Sequence, residues 1–189
     1  MSEMATEYER RPITVDEYHW LAKQGFFDSD GRVELLDGEL IRMPPRGPEH
    51  AYSSSALSRN LVLRFAGRAV IQPAGSVILD RFSEPEPDMM ILKGALEAYK
   101  HRVPVPSDVA LVIEISDSSL AKDRNRKSKA YARTGICEYW IVDLVHDCIE
   151  VRRDPRGDAY ASVRIAHRGE TVAAAAFPND EFAVEDFLP

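Results

Sequence analysis

The sequence predicts an α/β fold built on a mixed central sheet, and three observations predict it. Val109-Ala110-Leu111-Val112-Ile113-Glu114-Ile115 is a continuous apolar run with one carboxylate near its end, the pattern of a strand covered on both faces. Glu138 to Asp143 (EYWIVD) reads as a second buried strand. Between them Asp117-Ser118-Ser119 offers N-caps for a helix to about Thr134, with Gly135 at its exit. Strand, helix and strand in that order make a parallel, right-handed unit.

The remaining elements follow in chain order. Thr14-Val15-Asp16-Glu17 is a capping box, with Tyr18 and Leu21 behind it and Gly25 as a stop, so a short first helix is expected. Asp37-Gly38 sits between Val33–Leu36 and Glu39–Met43, the strongest short-range hairpin signal. Pro44, Pro45, Gly47 and Pro48 break the chain before a helical stripe of Leu57, Leu61 and Phe65 that ends at Gly67. Ala69 to Leu79 reads as extended, interrupted by Pro73 and Gly75, and Asp88 opens a short strand to Leu92. Lys93 to Asp108 is a connection with about one helical turn. Further strands are expected near Ile149–Arg153 and Tyr160–Ile165, and the acidic end, Asp180 to Asp186, as a surface strand or tail shielding an edge. Trp20 and Trp140 read as core aromatics.

A length of 189 residues suits one ordinary domain, and no repeat or linker divides it. The expected organisation is a helix and hairpin over 13–43, a core over about 49–143, and C-terminal strands over 148–188, together one domain over 1–189. With 44% apolar and 29% charged residues the chain is in the globular class, and no apolar run is long enough to span a membrane. The polar start, MSEMATEYERRP, lacks the apolar stretch of a secretory signal. Two cysteines cannot build a disulfide framework, so a reduced, cytoplasmic protein is expected.

Net charge is −7, from 24 Lys and Arg against 31 Asp and Glu, which argues against a nonspecific polyanion binder. Lys122, Arg124, Arg126, Lys127, Lys129 and Arg133 nevertheless concentrate in one helix, so nucleic acid stays open as a partner. Stepping 100° per residue puts Lys127 and Tyr131 on the sheet-facing stripe. Lys122, Arg126, Lys129 and Arg133 fall opposite, as a solvated face.

Glu114 is the odd residue, because an ionised carboxylate buried without a partner costs several kcal/mol, on the order of the loss for an unpaired buried charge. It can reach solvent at the strand end, pair with an arginine, or ligate a divalent cation. Asp88, straight after Pro87, is the natural second ligand, or else an ordinary turn aspartate. Two carboxylates and a main-chain carbonyl such as that of Ile115 form an oxygen-rich set suited to Mg²⁺ or Mn²⁺. Lys127 needs an anion, and Glu114 is the candidate; otherwise its chain snorkels to water.

These residues, with Gly135-Ile136-Cys137-Glu138-Tyr139-Trp140-Ile141-Val142-Asp143 and Val33-Glu34-Leu35-Leu36-Asp37-Gly38-Glu39, resemble the Uma-type putative restriction endonuclease family of the PD-(D/E)xK nuclease-like superfamily. The resemblance runs from about Ile13 to Leu188. It implies a restriction-endonuclease-like αβββαβ core with a Mg²⁺-dependent phosphodiesterase site. The family's two acids fall on Asp88 and Glu114. The lysine usual two residues after the second acid is replaced by Ser116, and this branch supplies it from the next helix, at Lys127. Glu34 matches a further acid near the metal, and His50 and Tyr131 match motif positions that line the cleft or serve structure.

The resemblance implies a metal-dependent endonuclease acting on DNA, with Asp88, Glu114 and Lys127 catalytic and with Gln72, Ser116 and Tyr131 as supporting contacts. Arg42 and Arg46 are candidates to hold DNA, and a homodimer would supply two sites for two strands. Alanine at Asp88, Glu114 or Lys127 is expected to abolish cleavage and leave the fold intact. A second class is a catalytically inactive binding module for nucleic acid or a protein partner, which the acidic net charge also fits. A cysteine hydrolase using Cys137 or Cys148 has no histidine at a supporting spacing.

Overall fold

The computed structural model describes residues 10–189; the polar stretch read over 1–9 lies outside them. Six strands form the central sheet in the order β3-β4-β5-β6-β7-β8: β3 (Val70–Pro73), β4 (Met89–Leu92), β5 (Val109–Ser116), β6 (Glu138–Asp143), β7 (Cys148–Arg156) and β8 (Ala159–His167). Only β5 and β6 pair in parallel, with Glu114 opposite Ile141, and every other neighbour is antiparallel. The sheet is therefore mixed, and the αβββαβ core is present.

Alternation along β5 assigns its two faces. Leu111, Ile113 and Ile115 join Leu57, Leu61 and Phe65 of α2 (Pro48–Phe65) in one core cluster. Val112 joins Leu120, Ala130 and Tyr131 in the other, beneath α3 (Leu120–Lys122) and α4 (Ser128–Arg133). Glu114 shares the parity of Val112, so it points into the layer that carries Lys127.

The capping box forms at the start of α1 (Val15–Lys23): the Glu17 amide donates to Thr14 Oγ1 and the Thr14 amide to Glu17 Oε2. The hairpin of β1 (Val33–Leu36) and β2 (Glu39–Arg42) turns at Asp37 and Gly38, whose φ values of 52° and 75° match the turn that suits twisted strands. Its β1 strand buries Leu36 against the second core cluster and Leu35 against α1. The same alternation turns Glu34 inward beside Leu36.

The extended run breaks after Pro73, where an interruption is expected, because Ala74 takes φ +48° and Gly75 lies so close to Gln72 that a Cβ there would meet its Nε2 at 1.9 Å. Several other expectations change. The helix after β5 is not regular. A π-helical turn at Asp123–Lys127 separates α3 from α4, admitting one extra residue per turn so that Asp123 and Lys127 are both buried. Arg124 anchors this turn to the sheet through Asp143 and Glu150. Three of the four cations read as a solvated face are instead paired: Lys122 reaches Glu34, Arg126 Glu39 and Arg133 Asp37, while Lys129 is exposed as expected.

The acidic end contains a short strand, as expected, but its apolar residues pack inward. β9 (Thr171–Val172) and β10 (Phe182–Ala183) form a small separate ribbon, and Phe182, Val184, Phe187 and Leu188 enter the α2-side core. Its acids stay at the rim, where Asp180 takes both terminal nitrogens of Arg68. Trp140 is fully buried, as expected, but Trp20 is 61% exposed, because only Val15 and Tyr18 of α1 face inward. Cys137 is exposed. No described helix is long and apolar enough to cross a membrane.

Candidate active site

Four elements meet where β4 begins and β5 ends: the Pro-rich loop before α2, the first turn of α2, the β1 strand and the π turn. Asp88, Glu114, Ile115 and Lys127 line a cavity of about 40 Å³ with His50, Arg46, Lys122 and Asp123. That is room for a water or a single ion.

Asp88 sits just ahead of β4, where its Oδ2 accepts the Ile115 amide at 2.9 Å and lies 3.2 Å from His50 Nε2. Its Oδ1 accepts from Arg46 at 2.9 Å. Burial would raise this carboxyl, but the His50 bond and charge, the Ile115 amide and Lys127 outweigh it and hold the group below the ordinary range.

Glu114 Oε1 accepts from Lys127 Nζ and from the Tyr131 hydroxyl, each at 2.8 Å. Oε2 has no hydrogen-bond partner among the described residues. Burial pushes Glu114 upward, Lys127 opposes, and the nearby Asp123, Asp88 and Glu34 push it up further. Lys127, only 1% exposed, also lies 3.0 Å from Glu34 Oε2. Burial works against its charge, yet Glu114, Glu34 and Asp123 prevail, so it stays an ammonium and donates hydrogen bonds.

Glu34 differs from the role its motif implies. Its Oε1 accepts from Lys122 at 2.9 Å and its Oε2 from the Glu86 amide at 3.3 Å, beside Lys127. Both oxygens are engaged, and the two lysines hold the carboxyl low despite burial. Ser116 turns its hydroxyl to Asp123 Oδ2 at 2.7 Å. Tyr131 is buried against Tyr139 and serves Glu114 directly. Gln72 stands apart on β3, packed over Gly75 and outside the cavity lining.

Sequence reasoning missed three members. Asp123 carried no sequence signal of its own, Lys122 was assigned to water, and Arg46 to DNA. The four-residue step from Asp123 to Lys127 is the signal that could have found the first.

Five carboxylates (Glu34, Asp88, Glu114, Asp117, Asp123) face four permanent cations (Arg32, Arg46, Lys122, Lys127), so the site is anionic when all are ionised. Among the described residues no three His, Cys, Asp or Glu side chains form a ready-made metal cage. The donors available are hard oxygens from two carboxylates, one with a free Oε2, which suits Mg²⁺ completed by water and substrate better than zinc. Beside the cavity, the Pro-rich loop and residues 29–32 border an open hollow of about 750 Å³ flanked by Arg32, Arg42 and Arg46.

Cysteine chemistry finds no support at Cys148, whose thiol is pushed up to about 11 by burial and by Asp143 and Glu150.

The sheet order, the helices on both faces and the acid–acid–lysine corner define a restriction-endonuclease-like α/β fold. A crystal structure of a putative nuclease from Anabaena variabilis has this fold: TM-score 0.68 and 16% identity, covering 93% of this chain and 97% of that one. The profile of the family described as "Uma2: Putative restriction endonuclease" matches residues 15–185, and the chain belongs to that family. No curated protein matches it.

Proposed function

We propose that this protein is a metal-dependent endonuclease that hydrolyses DNA phosphodiester bonds. The observation that carries the reading is the convergence of Asp88, Glu114 and Lys127 on one small cavity beside an open, arginine-flanked hollow. Asp88, the free oxygen of Glu114 and the Ile115 carbonyl would hold Mg²⁺ or Mn²⁺. A cation held there would supply Lewis-acid polarisation of the scissile phosphate and a more acidic water. Lys127, held as an ammonium, donates to a phosphate oxygen as charge builds on it. Tyr131 and Glu34 keep Lys127 and Glu114 in place, and Glu34 acts as a counter-ion to the two lysines. His50 orients Asp88. The hollow takes the strand flanking the cut, with Arg42 on its wall. The chain acts as one catalytic domain over 1–189, and two copies supply the two cuts of a duplex; sedimentation with and without DNA tests the dimer.

The isosteric variants Asp88→Asn and Glu114→Gln test the core of this reading. Each is expected to abolish Mg²⁺-dependent cleavage of plasmid DNA while keeping the wild-type circular dichroism. Full cutting by either variant overturns it.

One observation favours the second reading, a binding module without turnover: Arg46 already neutralises Asp88 at 2.9 Å, and little space remains beside it. Titration calorimetry separates the two, because a chain that takes up neither Mn²⁺ nor Mg²⁺ at neutral pH is a binding module.

A further inference from the structure

Asp123 is 1% exposed and lines the same cavity, yet its carboxylate is only half satisfied. Oδ2 accepts from Ser116 Oγ at 2.7 Å and Ser119 Oγ at 2.5 Å, whereas Oδ1 is buried with no partner among the described residues. A buried carboxylate oxygen without a donor is costly, and in a polar cavity an ordered water or an ion is the usual answer. The cavity of about 40 Å³ has that room. The backbone adds a second, independent sign. The π turn spans Asp123 to Lys127 and brings both inward, a distortion that occurs often at functional sites. Tyr139 fixes the turn by donating its hydroxyl to the Asp123 carbonyl at 3.3 Å.

Resting on the metal-dependent reading above, we propose that Asp123 is a third carboxylate of this site, whose free Oδ1 accepts a hydrogen bond from a water of the divalent cation's hydration shell. Ser116 and Ser119 are the clamp that leaves one oxygen for this purpose. This explains why Ser116, in place of a lysine, stands two residues after Glu114: a hydroxyl there can donate to Asp123, while Lys127 supplies the cation from the π turn.

The rival is a purely structural role, in which Asp123 ties the end of β5 to the helix through its two serines. Mn²⁺ titration calorimetry and thermal melting of the full chain separate them. Asp123→Asn keeps the size and removes the charge; it is expected to weaken Mn²⁺ binding by about tenfold or more, the usual range for an outer partner of a metal site. Ser119→Ala loosens the clamp and keeps the charge; it is expected to lower the melting temperature and to weaken Mn²⁺ binding less than Asp123→Asn does. Asparagine binding within about twofold of wild type overturns the proposal and leaves the structural role. If the asparagine variant fails to fold, a Mn²⁺ soak of wild-type crystals located by anomalous scattering decides: a metal-bound water within hydrogen-bond reach of Asp123 Oδ1 supports the proposal, and an ion with no bound water near that oxygen overturns it. Wild-type protein with no Mn²⁺ affinity overturns the metal reading and this proposal together, whereas an indifferent Asp123→Asn overturns this proposal alone.

Discussion

Lys127 is the residue on which the site's electrostatics turn. Its ammonium is fully buried and shared by Glu34 and Glu114, so removing it does more than remove a catalytic group. The sequence led to the expectation that alanine here leaves the fold intact; burial between two acids says otherwise. Lys127→Met is expected to cost about 3–5 kcal/mol in urea unfolding, the range for breaking a buried ionic network at one partner. Cleavage assays at this position therefore report stability and chemistry together, and the isosteric changes at Asp88 and Glu114 are the cleaner probes.

The acids around Lys127 also set a pH dependence. Glu114 has its pKa raised from 4.5 to about 8, chiefly by burial and then by neighbouring carboxylates against the pull of Lys127. Between those values the folded state binds a proton that the unfolded state has lost, so stability falls as pH rises through that window. Asp88 and Glu34 run the other way: their folded values are depressed, and the stability they contribute is lost only as pH falls below the ordinary carboxylate range. In chelator, the melting temperature is expected to decline from pH 5 to pH 8, and Glu114→Gln is expected to flatten that slope. An equal slope in the variant would assign the effect to another group.

At the level of elements, the β1–β2 hairpin matters because it delivers Glu34 to the lysines. Its turn was legible because Asp-Gly tolerates positive φ at both positions. Gly38 has a second constraint that local sequence cannot reveal: a Cβ there would lie 2.3 Å from Pro12 Cβ and 2.8 Å from Pro12 Cα. Gly38→Ala is expected to destabilise by more than about 1 kcal/mol in thermal or urea unfolding, through φ strain and that clash. The α2 helix gives the contrasting case. Leu61 lies in the α2-side core, across the sheet from Glu114 and Lys127, so Leu61→Ala is expected to cost about 2–5 kcal/mol and leave Mn²⁺ affinity unchanged.

The helix after β5 marks where pattern reading stopped. Its apolar stripe was enough to turn Lys127 and Tyr131 toward the sheet. A uniform 100° step could not reveal a π turn, because the extra residue is accommodated by Arg124 meeting Asp143 and Glu150 on β6 and β7. The basic face follows the same logic. Lys122, Arg126 and Arg133 read as solvated until the hairpin folds over them and supplies Glu34, Glu39 and Asp37.

For the whole molecule, a net charge of −7 sets how nucleic acid can be held. The arginines at the hollow already have partners: Arg32 with Glu86, Arg42 with Asp30, and Arg46 with Asp88. Only a few phosphates can then be neutralised. DNA affinity measured in Ca²⁺ is expected to fall with salt at a logarithmic slope of about −2 to −3, from about 0.9 per phosphate contacted at three arginines. A slope as steep as about −8 would point to a large basic surface elsewhere.

The sequence by itself determined the periodic elements and the acid–acid–lysine set, because hydrophobic period, caps and turn residues act over a few neighbours. Asp88, Glu114 and Lys127 are legible as charges set against a turn, an apolar strand and a sheet-facing stripe. Only the tertiary structure decided who else joins them. Arg46 meets Asp88 across 42 positions, and Lys122 meets Glu34 across 88. Such partnerships are set by charge neutralisation in a buried space, and that space exists only once the hairpin, the Pro-rich loop and the π turn have closed on the sheet.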